Sequence, residues 1–353
     1  MAYTTIDNPS EYFSTTLYTG DGSADQSMTG AGFKPDFLWI KRRNASERHV
    51  LTNAQMDVSS GAYKWLDSSS NEAQFSGGTG VASFDSDGFT IKTSDSTWNS
   101  GGSTYVFWSW KANGGTGTTN NDGNRTTTVQ ANTTAGTSIV TYLSNGSASN
   151  QTLGHGLGAA PGLIISKRKG ATADWLVYHK SLGAGSFIYL NSNLAQSSSN
   201  PPYQATPTST VFSTQNAFQA TDNFVSYCFA EKQGFSKFSS YIGNGVGNGP
   251  FVYTGFKPAF VMFKRLGDQS WDMHDNTRDP FNPMPRRLLP NLQAAEETRP
   301  TSGASIDCMD FLSNGFKIRS IESILNTNGD TYIYMAWAEN PFVTSTGIPT
   351  TAR

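Results

Sequence analysis

Four histidines are the first places to look for chemistry. His274 lies in Trp271-Asp272-Met273-His274-Asp275, so Asp272 or Asp275 could pair with it as an acid/base couple or a metal site. The plainer reading is a strand-end histidine held by a hydrogen bond. That reading is preferred because the pattern occurs once. His155 sits between glycines, His179 follows Trp175-Leu176-Val177-Tyr178, and His49 opens an apolar run. Asp85, Asp87 and Asp21 could supply oxygen ligands to calcium, or could cap turns as Asx motifs. Glu72, Glu231, Glu322 and Glu339 are the glutamates to test for paired-carboxylate hydrolysis, but they are scattered. A nucleophile elbow, a phosphate loop, zinc spacing and a dinucleotide fingerprint are all missing. The residues therefore predict a protein that is not an enzyme, with no catalytic residues, no cofactor and no metal.

Aromatic side chains offer contact rather than catalysis. Trp39, Trp108, Trp110, Trp175, Trp271 and Trp337 fall on strand-like runs and read as core. Trp98 lies in the polar loop Ser94-Asp95-Ser96-Thr97-Trp98-Asn99 and is the candidate surface contact for a glycan or a partner. The net charge of -2 and the absence of a basic stripe argue against nucleic acid. Lys41-Arg42-Arg43 and Arg286-Arg287 are too short for such a stripe and read as solvated strand ends. Cys228 and Cys308 read as small buried groups, not as a disulfide. The start lacks a signal-peptide pattern, and no apolar run reaches the roughly 18 residues of a span. The expectation is synthesis in a cytoplasm, with no membrane insertion.

The elements that would carry these residues repeat. Gly32-Phe33-Lys34-Pro35 leads into Phe37-Leu38-Trp39-Ile40-Lys41-Arg42, and Gly255-Phe256-Lys257-Pro258 into Phe260-Val261-Met262-Phe263-Lys264-Arg265. Pro161 with Leu163-Ile164-Ile165-Ser166-Lys167-Arg168 is a weaker copy. Tyr105–Trp110 matches Tyr332–Trp337, and Phe224–Phe229 fits between them. The step of 16 residues from Phe89 to Tyr105 equals that from Phe316 to Tyr332. Tyr18-Thr19-Gly20-Asp21-Gly22, Tyr142-Leu143-Ser144-Asn145-Gly146-Ser147 and Tyr241-Ile242-Gly243-Asn244-Gly245 each run a strand into a tight turn.

Such spacing predicts an all-β chain of three tandem β-sandwich modules, jelly-roll or concanavalin-like. Module 1 spans 1–113, module 2 spans 135–233 and module 3 spans 234–343. Residues 114–134 form a Gly/Thr/Asn-rich linker, and 344–353 a C-terminal arm. The long first joint and the short Glu231-Lys232-Gln233-Gly234 joint predict one loosely attached module and a rigid pair. Apolar runs such as Phe37-Leu38-Trp39-Ile40 predict strands buried on both faces.

The motifs Tyr18–Ser23, Gly32–Lys41, Ser83–Phe89, Thr104–Lys111, Gly154–Pro161, Gly249–Phe256 and Ala338–Phe342 resemble modules of virion proteins of marine tailed bacteriophages. The resemblance covers nearly the whole chain and brings no catalytic residues with it. It implies a phage virion structural protein, associated with the tail or a tail fibre. Capsid decoration (a head-fibre role) and a receptor-binding adhesin for host surface glycans are the alternatives. The partners implied are other virion proteins of tail or capsid, further copies of the chain in a homo-oligomer such as a trimer, and a host surface glycan.

Overall fold

The computed structural model describes residues 2–146, 150–215, 218, 221–300 and 308–350. Ser147, which ends the second turn motif, and positions 351–353 of the arm lie outside them. Among the described residues the regular structure is almost all antiparallel strand, with a 3-10 turn at Pro9–Glu11 and one four-residue α-helix, Ser323–Asn326.

Each repeat builds its main sheet in the same order. An opening strand (Phe13–Thr19, Thr137–Leu143, Ser236–Ile242) pairs with a closing strand (Thr104–Trp110, Asn223–Phe229, Thr331–Pro341). The closing strand pairs with a proline-led strand (Phe37–Arg42, Leu163–Arg168, Phe256–Arg265), and that with an outer strand (His49–Asn53, Leu176–His179, Asp272–Asp275). Pro35 and Pro161 stand ahead of their strands, and Pro258 sits at a register irregularity, where a missing N–H costs least. A smaller sheet covers one face of each main sheet. Gly88 and Gly315 begin equivalent strands of these small sheets, because the neighbouring strand passes too close for a side chain. A Cβ at Gly88 would stand 1.9 Å from the Met28 carbonyl oxygen, and one at Gly315 2.1 Å from that of Val252. Only Gly88 has positive φ, so close approach, not turn geometry, is what the two positions share.

The uncovered faces of the three main sheets meet in one core. Register aligns its layers: Trp110, Phe229 and Trp337; then Trp108, Tyr227 and Met335; then Val106, Val225 and Ile333. In the first layer the three rings touch one another, with centroids 6.3, 5.4 and 5.2 Å apart. The chain is thus a pseudo-threefold body. Its main sheets are buried on both faces, as the apolar runs predicted, and each repeat keeps a private core behind its small sheet.

Two expectations about the joints are corrected. Residues 114–134 are not a free linker. Thr118–Asn120 and Thr127–Asn132 are strands that extend the second main sheet beyond Thr137–Leu143. Nor is one module loosely attached, since all three pairs of modules pack and hydrogen-bond. Asn53, His179 and Asp275 occupy equivalent positions on the outer strands. Asn53 donates to the Tyr227 hydroxyl at 2.9 Å, His179 Nε2 meets the Tyr334 carbonyl at 3.1 Å, and Asp275 accepts from Trp108 Nε1 at 3.1 Å. A threefold arrangement needs each module to touch both others, so a long joint in sequence need not be loose in space.

Candidate functional site

Trp98 is not a surface contact. It is fully buried, edge-on to Trp65 at 5.7 Å, in the private core of the first repeat. Its backbone carbonyl accepts from the Tyr18 hydroxyl, as that of Leu325 does from Tyr241 and that of Phe218 from Ser144. The three residues are equivalent plugs. Trp98 comes from a polar loop and Leu325 from the four-residue helix, and burial of such a large apolar side chain is worth about 1.5–3 kcal/mol.

The other sequence candidates hold structure together. His274 is buried, stacked on Phe263 at 5.7 Å, with Nε2 3.2 Å from Asp272 Oδ1 but not aligned for a hydrogen bond. Asp275 faces elsewhere, binding Arg278 and Trp108. Asp21 accepts from Ser23 and Asn99, Asp85 from Ser83 and Thr90, and Asp87 from the Gly30 and Gly32 amides. Asp21 thus makes an Asx contact with the Ser23 amide, Asp85 is held by hydroxyls, and Asp87 ties down the distant turn at 30–32. Among the described residues no three His, Cys, Asp or Glu side chains gather closely enough to hold a metal ion. Glu72 pairs with Arg48, Glu231 with Lys180 and Glu339 with Lys257, each on a different element. Cys228 and Cys308 are buried and not joined in a disulfide, and burial pushes the Cys228 thiol up.

Strand-end cations also differ from expectation. Lys41 is fully buried and Arg287 nearly so, whereas both were read as solvated. Lys41, Lys167 and Lys264 are equivalent, facing Val106, Val225 and Ile333 across the ladder, and together they close one end of the shared core. Each ammonium reaches a carbonyl of a neighbouring module: Gln293 at 3.1 Å, Asn71 at 3.1 Å and Asn193 at 3.5 Å. Burial lowers all three from 10.5 to about 8. Between pH 8 and 10 these lysines therefore bind more protons in the unfolded chain than in the folded one and make stability rise with pH, against the buried Cys228 thiol, whose raised pKa acts in the opposite sense through the same window. Each lysine contributes at most about 1.4 kcal/mol per pH unit. Above about pH 10 the buried tyrosines, raised by burial, act in the opposite sense. Lys264→Met should lower the slope by up to about 1.4 kcal/mol per pH unit in urea titrations run from pH 8 to 10. An unchanged slope would refute the assignment.

A cleft opens beside the second repeat. It measures about 580 Å3 and lies on the private face of the second main sheet. Its origin is visible by comparing repeats. Trp65 bridges Phe75, Phe187 bridges Ser197, and Arg287 pairs with Glu297, each partner ten residues on (75 from 65, 197 from 187, 297 from 287). In the first repeat the position is filled by Trp65 stacked on Phe75 at 4.1 Å. In the third it is filled by ions: Arg287 lies 3.0 Å from Glu297 and 3.5 Å from Asp272. In the second, Phe187 and Ser197 are smaller, and among the described residues the small sheet has two strands instead of three. Val81–Asp85 and Met309–Leu312 supply the third strand elsewhere. Pro201, Pro202 and Pro207 occupy the segment ahead of Val211–Thr214, and proline cannot donate to a ladder.

Leu176, Phe187 and Phe224 form the cleft's apolar floor. Arg168, Asp174, Tyr189, Ser199 and Asn200 supply its polar wall. Arg168 is held by Asp222 at 2.6 Å. Asp174 Oδ1 accepts from Asn191 at 2.8 Å, and Oδ2 takes no donor from the described residues. Sequence reasoning missed this cleft. Its signal was the Phe/Ser/Glu variation at 75, 197 and 297.

A protein-family model described as "Domain of unknown function (DUF7483)" matches residues 8–341, and the chain belongs to that family. No curated protein matches, and no solved structure matches.

Proposed function

Taking that family membership as the premise, we propose that the chain is a virion structural protein of a tailed phage, associated with the tail or a tail fibre, that works by protein–protein assembly. The likeness of its motifs to virion modules supports the phage setting. The observation that carries an assembly role is an open sheet edge. In the second repeat the outer edge of the opening strand is covered by Thr127–Asn132. In the third, Glu231 caps the Phe238 amide at 2.7 Å. In the first, Gly20 N–H to Ser103 O and Lys111 N–H to Tyr12 O set the ladder phase. That phase turns the Thr15 and Leu17 amides outward, where no acceptor among the described residues meets them, although the Thr277 hydroxyl already reaches the Thr15 carbonyl at 3.4 Å. An unpaired edge is a template for another strand. The occupant is an extended, uncharged segment of a neighbouring virion protein, with the neutral polar chemistry of Thr127–Asn132.

Immunogold labelling of intact particles tests the reading. Label on tails is expected, label on heads would move the protein to the decoration role, and its absence from purified virions would refute the proposal. Leu17→Lys, a charge on the edge, should leave stability within about 0.5 kcal/mol and reduce incorporation into particles. Incorporation at the wild-type level would remove the edge from the proposal.

A further inference from the structure

We propose that the cleft of the second repeat is a binding site for a neutral saccharide of one or two rings. The volume of about 580 Å3 falls within the roughly 300–1,000 Å3 of small-molecule sites. More telling is that the same position is filled in both sister repeats, by an aromatic stack in one and an ion network in the other. An unfilled position on an otherwise repeated core costs packing energy of the order of 1 kcal/mol or more. In this repeat the space is also furnished. The floor is apolar, and the wall carries a carboxylate, an amide and hydroxyls.

Those groups select the ligand class. A pyranose has a C–H face that packs on rings and aliphatic chains, and hydroxyls that donate to a carboxylate or an amide oxygen. Asp174 Oδ2 and the Asn200 amide are placed on the wall for such donors. An anionic ligand is disfavoured, because the one lining cation, Arg168, is already neutralised by Asp222, and Asp174 repels a second negative charge. A purely apolar ligand would leave the Asp174 and Asn200 groups without partners.

The inference needs only the isolated chain and does not rest on the virion reading. Saturation-transfer NMR and calorimetry would be run on the purified protein with glucose, galactose, mannose, N-acetylglucosamine and their common disaccharides, with glucuronate as the anionic arm. At least one neutral sugar should bind with a dissociation constant of about 1–10 mM, typical of a single shallow contact site. Ser197→Phe restores the side chain that the first repeat has at Phe75, while the backbone pairing with Phe187 stays intact. It should weaken binding at least about tenfold and leave the thermal midpoint unchanged or raised. Asp174→Asn, at an exposed position, should weaken binding without affecting folding, which covers the case of a misfolded Ser197→Phe chain. Failure of every neutral sugar, tighter binding of glucuronate than of glucose, or full binding by both variants would overturn the proposal. Particle labelling would be untouched by any of these outcomes.

Discussion

Trp337→Ala is expected to lower the stability of the entire chain by about 4 kcal/mol, in a single transition. The indole is 2% exposed and meets rings from all three repeats: Phe13 at 5.8 Å, Trp110 at 5.4 Å, Phe229 at 5.2 Å, and Phe238 and Phe260 at 5.6 and 5.8 Å. Removing it opens a cavity where the three main sheets support one another. If the repeats were independent sandwiches, the loss would fall on the third alone, and the first two would melt as before. In the observed arrangement each main sheet has one face on the shared core, so loosening that core exposes every sheet. Urea unfolding followed by far-ultraviolet circular dichroism and by near-ultraviolet aromatic signals should give coincident curves, shifted together by the substitution. Separate transitions, with only one displaced, would show that the repeats are autonomous.

The repeat was legible because its signals are residues the fold cannot replace. Aromatics of the closing strands recur at Trp110, Phe229 and Trp337 because three sheets converge there. The doubly buried character of Phe37–Ile40 was legible for the same reason: one face meets the private core and the other the shared core. What escaped detection depended on contacts between distant segments. Thr127–Asn132 reads as loop from its Thr/Asn content and is a strand only because Thr137–Leu143 offers an edge. Trp98 sits among polar neighbours, so local composition places it outside. Its true role shows in its spacing, since Trp98 precedes Tyr105 as Leu325 precedes Tyr332, by seven residues (105 from 98, 332 from 325). The Lys-Arg ending of the proline-led strands was legible as a pattern but not as burial. A lysine at a strand end is ordinarily solvated, and only the neighbouring module's carbonyls make the buried position tolerable. The cleft could be seen only by asking which equivalent positions are filled.

Arg278→Met is expected to cost about 3–5 kcal/mol, because it strands carboxylates rather than because it loses an attractive pair. Arg278 is buried at the joint between the first and third repeats, with its guanidinium 5.6 Å from the Trp108 ring. Nε bonds Asp275 at 2.5 Å, Nη1 bonds Glu296 at 3.1 Å, and Nη2 donates to the Met273 carbonyl at 2.9 Å. Glu296 keeps Arg43, which crosses the same joint at 2.8 Å, so it retains a counter-charge when Arg278 is lost. Asp275 keeps only the Trp108 N–H and the Arg278 amide, which is too little for a fully buried carboxylate. The penalty should therefore fall mostly on Asp275. The double variant Arg278→Met with Asp275→Asn tests this, since asparagine can still accept from Trp108 without carrying charge. It should recover about half or more of the loss, with a coupling energy of at least about 1 kcal/mol in a double-mutant cycle. Arg278→Lys should fall between wild type and Arg278→Met, because it restores the charge but not the planar fork that serves three acceptors at once. If the double variant is no more stable than Arg278→Met, the joint is held by the shape of the side chain against Trp108 and not by charge balance.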